Sequence, residues 1–297
     1  MNIIPNTIVG AFATGNVLQI ILFAVLFGIA MSRLGERVRP FIDGLDMFLH
    51  GMFGIVRIVM FLAPIGAFGA IAFTIGKYGI GSMANYGKLI IAVYGTCLIF
   101  IVFVLGAVAW WCSISMFAYL RYIREELLIT FGTASTESVL PQMMIKLERA
   151  GCEQTVVGLV LPAGYTFNPD GTAICLTIAT LFVAQAMNID LSLSEQMVIF
   201  GVLMLTSKGS AGVVGGGFVT LAATLGSLHT IPVAGLVLLL GIDRFLNEAR
   251  AITNLVGNGL ATISIARWEG EFDEARWREA TGDRRGVSRN RVVKPTN

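Results

Sequence analysis

The sequence predicts an all-α integral membrane protein. Three observations carry the prediction. Of its 297 residues 55% are apolar and 13% are charged, where a soluble domain carries roughly 25% charge. The mean hydropathy is +0.76. Fourteen of the 40 charges fall between Arg267 and Lys294, leaving 26 for the 266 residues before them.

A spanning helix needs about 20 mostly apolar residues. Ile8 to Met31 supplies a charge-free run, closed by a loop carrying Arg33, Glu36, Arg37 and Arg39. A second run, from about Met47 to Gly76, contains Arg57 and a kink expected at Pro64. The third, Leu89 to Leu120, is charge-free and longer than one span requires, so it is expected to tilt or to extend past the bilayer. The N-terminus lacks the basic segment of a signal peptide, and its first apolar run is too long for one.

The second half is interrupted by polar breaks. Ile123 to Pro141 turns from amphiphilic to polar through EELLITFGTASTESVLP, and a charged turn follows from Lys146 to Glu153. Val156 to Met187 is apolar but broken by AGYTFNPDGTA, and Gln196 to Thr206 runs into SKGSAGVVGGGF. Val219 to Leu240 is apolar with Pro232 inside, and Gly241 to Trp268 forms a last helix rich in polar groups. The segment after Glu269 reads as a charged, mobile tail. Short-loop Lys and Arg place Arg33–Arg39, Arg121–Arg149 and the tail in the cytoplasm, opposite Lys77, Lys88, Asp190 and Glu195. That alternation requires the two hairpin-like breaks to dip into the membrane from opposite sides.

Irregular backbone at membrane depth is tolerated only against protein or a water-filled cavity. Paired segments interrupted by Gly and Pro point to a transporter site near the midplane. Half-helix N-termini favour anions there, and freed carbonyls favour cations. In the last helix Asp243, Asn247, Arg250, Asn254 and Asn258 fall within about 80° of arc, one polar stripe, with Arg244 and Glu248 off it. Charges inside a span normally have a partner or a function. An internal Asp243–Arg250 pair is the plain alternative. Arg250 is otherwise the natural clamp for a carboxylate, because guanidinium binds it bidentately.

Other classes are poorly supplied. A net charge of +2 gives no case for nucleic acid. Cys97, Cys112, Cys152 and Cys175 lack paired spacing and read as inert thiols. With two histidines, His50 and His229, there is no metal, cofactor or triad set, so no enzyme is expected. Trp110, Trp111 and Trp268 read as interfacial anchors. A channel would need a continuous lined pore, and a non-transporting sensor partner is a third class.

GTASTESVLP, FNPDGT, SKGSAGVVGGGF and DRFLNEARAITNLVGNG together resemble the dicarboxylate/amino acid:cation symporter family, the glutamate-transporter fold, nearly to Asp273. The resemblance implies two re-entrant helical hairpins and a broken helix. It divides the chain into remaining scaffold helices (1–88), a transport domain (89–268) and a cytoplasmic polar tail (269–297). It implies symport of a small-molecule C4-dicarboxylate (succinate, fumarate, malate) with H+ or Na+, by an elevator motion, in a multi-pass homotrimer of the bacterial inner membrane with a cytoplasmic C-terminus. Acidic amino acid:cation symport is the alternative within the family.

By this resemblance Ser135 and Thr136 hold a substrate carboxylate at the first hairpin tip. Thr172 faces substrate, and Val213 and Gly217 lie in the second hairpin tip that closes over it. Asn247 stands where amino-acid members carry an aspartate for the substrate ammonium, Arg250 binds the distal carboxylate, and Asn254 is shared with the cation. Asn168, Asp170, Ser207, Ser210, Asp243 and Asn258 match cation-site positions, Asp170 and Asp243 being the candidate proton carriers. Asn258 replaces a sodium-binding aspartate, Pro169 a large apolar residue and Ala134 a serine; all three weaken the case for full sodium coupling. The chain also starts within what resembles the fourth helix. The expectation is therefore a form lacking the first three spans, folding poorly or not transporting alone.

Overall fold

The computed structural model describes residues 7–14, 17–61, 65, 68–69, 72, 75–76, 83–210, 215–228 and 231–282. The regular elements among them are helices. In chain order, α1 (Ile8–Thr14), α2 (Val17–Arg33) and α3 (Arg39–Phe61) form the N-terminal part. The expected kink at Pro64 and the loop at Lys77 lie outside the described residues. Large apolar side chains on these helices, such as Phe12, Met47, Phe48 and Ile58, are exposed, as lipid-facing surfaces are.

Helix α4 (Met83–Trp111) is 29 residues long and apolar enough to cross a bilayer. The third apolar run is not one helix to Leu120. The chain turns at Ser113, whose φ is 54°. Ser115 then starts α5 (Met116–Tyr122) by accepting the Ala118 amide hydrogen at 3.3 Å. A hydroxyl that caps a new helix outcompetes the continuation of the old one.

Helices α6 (Arg124–Thr133) and α7 (Leu140–Arg149) form the first hairpin. Its turn opens at Ala134, which is left-handed at φ 50°. Its base is tied where the Lys146 ammonium donates to Glu126 at 2.7 Å and to the Tyr122 carbonyl at 3.1 Å. Helices α8 (Gln154–Phe167) and α9 (Asp170–Ala186) are two halves separated by Asn168 and Pro169. Proline has no N–H and disfavours the α conformation in the residue before it. Asn168 (φ −123°, ψ 55°) and Pro169 (φ −85°, ψ 65°) are accordingly both non-helical.

Helices α10 (Leu193–Thr206) and α11 (Gly216–Leu228) form the second hairpin, joined by the Thr224 hydroxyl donating to that of Thr206 at 3.0 Å. The run expected from Val219 to Leu240 divides: α11 ends at Leu228, and a 3-10 turn occupies Val233–Leu239 after Pro232. Helix α12 (Asp243–Glu269) closes the bundle.

The expected polar tail is partly folded. Asp273 caps α13 (Glu274–Thr281) by accepting the Ala275 and Arg276 amide hydrogens at 2.8 and 3.2 Å. Trp277, 3% exposed, packs with Tyr122 and Phe272. One buried aromatic on a short helix leaves no periodicity to read. Residues 283–297 lie outside the described set.

Among the described residues two apolar cores result. One joins α4, α9, α10 and α11 around Val93, Val183, Leu203 and Leu225. The other joins α4, α5, α7 and α8 around Tyr119, Met143, Val157 and Leu161. Both include α12, the first through Leu246 and Ala249, the second from Leu255 onward. The polar residues Arg250 and Asn254 occupy the stretch between them.

Candidate binding site

The stripe on α12 is buried: Asn247 is 2% exposed, Arg250 2%, Asn254 6% and Asn258 1%. A row of polar groups inside a membrane domain needs partners, since an unsatisfied one costs several kcal/mol. The partners come from the broken helix and the second hairpin.

Asn254 meets the start of α9 twice. Its side-chain oxygen accepts the Gly171 amide hydrogen at 2.7 Å, and its amide nitrogen donates to the Thr172 hydroxyl at 3.0 Å. It thereby satisfies one of the N–H groups that a helix start leaves open. The backbones approach so closely that a Cβ on Gly171 would lie 2.5 Å from the Arg250 carbonyl oxygen and 2.7 Å from the Thr253 Cβ. Only glycine fits there.

One turn further along, Asn168 donates to Asp170 at 3.1 Å and to Asn258 at 3.2 Å. Two side-chain oxygens from separate helices thus converge on one amide nitrogen. A Cβ on Gly257 would stand 2.9 Å from the Asp170 carboxylate. Asn168, Asp170 and Asn258 form a second polar group beside the first.

At the other end of the stripe Asn247 donates to Asp243 at 2.6 Å, and Arg250 donates to the Ser210 hydroxyl at 3.3 Å. An ideal Cβ on Gly217 would lie 3.6 Å from an Arg250 guanidinium nitrogen and 3.7 Å from the Asn247 oxygen. Gly217, Asp243, Asn247 and Arg250 line a small recess together with Cys175, Phe218 and Leu239. Its polar side chains are the Arg250 guanidinium, the Asp243 carboxylate and the Asn247 amide, set against an apolar floor. Ser207 is buried and donates to the Met204 carbonyl at 2.9 Å; its 3-10 turn, Ser207–Gly209, packs on both halves of the broken helix.

Ser135 and Thr136 lie in the first hairpin's turn. Thr133 and Ser138 share a hydroxyl hydrogen bond of 3.0 Å, and Ser138 donates to the Ser135 carbonyl at 2.8 Å. The turn reaches α12 through Arg244, which donates to the Gly132 carbonyl. Val213 lies outside the described residues.

The matching family model is the sodium:dicarboxylate symporter family, over residues 1–268. The chain belongs to the sodium:dicarboxylate symporter family. It is 57% identical over 276 residues to a C4-dicarboxylate transport protein of Geobacter sp. (strain M21), covering 93% of this chain and 63% of that protein. It is 58% identical over 280 residues to C4-dicarboxylate transport protein 3 of Ralstonia nicotianae, covering 94% and 63%. A relative in Acinetobacter baylyi, also named a C4-dicarboxylate transport protein, is 55% identical over 97% of this chain and 64% of its own length. The chain therefore spans about 63% of the length of the first curated relatives it matches.

Membership makes this an all-α integral membrane protein of a transporter family, not of an enzyme family. Within the sodium:dicarboxylate symporter fold, sequence reasoning missed Arg244, Glu248, Tyr94 and Cys175. The first two were placed off the stripe, and that placement holds. Glu248 is nevertheless buried at 8% exposure, with Arg244 donating to it at 2.9 Å. The i,i+4 spacing of this pair was the available signal.

Proposed function

We propose that the protein is a secondary active symporter of C4-dicarboxylates such as succinate, fumarate and malate, and that this chain carries its substrate site. Arg250 beside Asn247 in the small recess carries the reading. A guanidinium pairs with a carboxylate bidentately and keeps its charge at all working pH values. The neutral Asn247 amide offers hydrogen bonds but no charge for an ammonium group, so a dicarboxylate is preferred to aspartate or glutamate. The names of the relatives support the same substrate class.

The second carboxylate goes to Ser135 and Thr136, with Thr172, Asn254 and Gly217 around the carbon chain. Asn168, Asp170 and Asn258 hold the coupling ion, H+ or Na+, with Ser207, Ser210 and Asp243 as neighbouring ligands. The hairpins dip into the inner membrane from opposite sides, the C-terminus is cytoplasmic, and the protein works as a homotrimer by an elevator motion with no further cofactor.

Uptake of radiolabelled succinate tests the reading, in vesicles bearing the protein at the length of its curated relatives, of which this chain spans about 63%. Saturable uptake driven by an inward Na+ or H+ gradient, inhibited by fumarate and lost in Arg250→Ala, is expected. Uptake that does not saturate, or that succinate analogues leave untouched, contradicts it.

A further inference from the structure

Arg244 stands outside the polar stripe yet connects three elements. Its Nε donates to Glu248 Oε1 at 2.9 Å, and an Nη donates to the Gly132 carbonyl oxygen, 112 positions away in sequence. Glu248 Oε2 accepts from the Tyr94 hydroxyl at 3.4 Å, and the same hydroxyl lies 3.1 Å from the Phe245 carbonyl. A line of polar contacts thus runs from α4 through α12 to the end of α6.

The end of α6 is where such a contact matters. A helix leaves its last carbonyls without partners inside the helix, and the negative pole of its dipole collects there. An arginine donating to one of them supplies both a hydrogen bond and an opposite charge. Gly132 is also the residue before the tip network. The Ser135 amide donates to the Thr133 hydroxyl at 3.3 Å, and Ser138 returns to the Ser135 carbonyl at 2.8 Å. The tip is thus tied within itself and attached to α12 at Gly132.

Glu248 completes the arrangement. Its side chain is 10% exposed against 47% for that of Arg244. Its charge offsets the guanidinium of Arg244 locally.

We propose that Arg244 is a positioning residue: by holding the Gly132 carbonyl it fixes the first hairpin's tip at the height on α12 where Ser135 and Thr136 meet one end of a substrate whose other end is on Arg250. This rests on the dicarboxylate reading above. Glu248 orients the guanidinium from behind, and Tyr94 orients Glu248.

The test is succinate uptake and thermal unfolding of the purified protein carrying Arg244→Gln, Arg244→Lys, Glu248→Gln and the exchange Arg244→Glu with Glu248→Arg. Arg244→Gln is expected to raise the succinate KM about tenfold, the size of one lost charge-assisted hydrogen bond, with the maximal rate within about twofold. Lysine, which can still donate to the carbonyl, restores most of the KM. Glu248→Gln, whose amide oxygen still accepts from Nε, keeps the KM within about twofold. The exchange restores the ion pair but leaves no donor toward Gly132, so it regains wild-type thermal stability and keeps the raised KM.

A pair that only holds helices together gives the opposite result: the exchange recovers the KM as well, and that outcome overturns the proposal. So does an Arg244→Gln protein with an unchanged KM. Should Arg244→Gln not survive purification, the exchange decides alone. Wild-type protein without saturable succinate uptake removes the dicarboxylate reading itself. Saturable wild-type uptake with an unmoved Arg244→Gln KM removes only this inference.

Discussion

The side-chain oxygen of Asn254 accepts the backbone hydrogen of Gly171 at 2.7 Å, so the last helix supplies the cap for the second half of the broken helix. The chain cannot cap that end locally, because Pro169 occupies the cap position and its side chain offers no acceptor. The membrane offers no water to do it either. A tertiary contact therefore stands where a local one is usual, and it makes the fold of the break depend on its docking.

Asn254→Ala should accordingly cost about 1–3 kcal/mol, the range for leaving a buried donor unmet. Asn254→Asp keeps the acceptor for Gly171 and loses the donor to Thr172, so it should cost less. Thermal unfolding of the purified proteins ranks the two. Equal losses would mean that the cap is not what Asn254 contributes.

Gly171→Ala should be strongly destabilising. Its Cβ would lie 2.5 Å from the Arg250 carbonyl oxygen and 2.7 Å from Thr253 Cβ, and neither backbone can yield without moving α9 off α12. Gly158→Ala on α8 is the matched control, with nothing within 4 Å of its Cβ. The expected result is loss of folded, monodisperse Gly171→Ala protein in detergent and wild-type behaviour of the control. Two well-folded variants would contradict the packing.

Asn247→Asp should exchange substrate preference. A second carboxylate beside Asp243 repels a bound succinate carboxylate and gives an ammonium group a partner. Succinate binding should weaken by about tenfold or more, about 1.4 kcal/mol, while aspartate binding strengthens. Titration of both ligands into wild type and variant checks this. Parallel losses would mean that position 247 does not face the substrate.

Asp170→Asn should flatten the ion dependence of uptake. It removes the one formal charge from the group made by Asn168, Asp170 and Asn258. Uptake measured against Na+ at fixed pH, and against pH without Na+, should lose the dependence that the wild type shows. Unchanged ion dependence would locate coupling elsewhere.

Much of this was legible in the sequence because the bilayer makes polar residues conspicuous. The five-residue stripe on α12 follows from helical spacing alone, and four of its members are buried, although the helix is buried on its other sides as well. The break at Asn168–Pro169 was equally visible, since proline acts on its own neighbours. Two kinds of feature were not. Ser115 ends one apolar run and starts another helix by a single capping bond, which hydropathy does not register. Trp277 buries a helix that carries four charges in eight residues, so composition reads it as tail. Arg244 and Glu248 were visible as a pair, but their third partner, Gly132, is a backbone carbonyl and carries no side-chain signal.

Equilibrium binding of succinate to the purified protein and to its Arg250→Lys and Arg250→Ala forms tests the central assignment most directly. Lysine keeps the charge and loses the two-pronged geometry; alanine loses both. Saturable wild-type binding that weakens by at least about tenfold with lysine and disappears with alanine is the expected result. Binding of equal strength in all three would show that Arg250 does not hold the carboxylate.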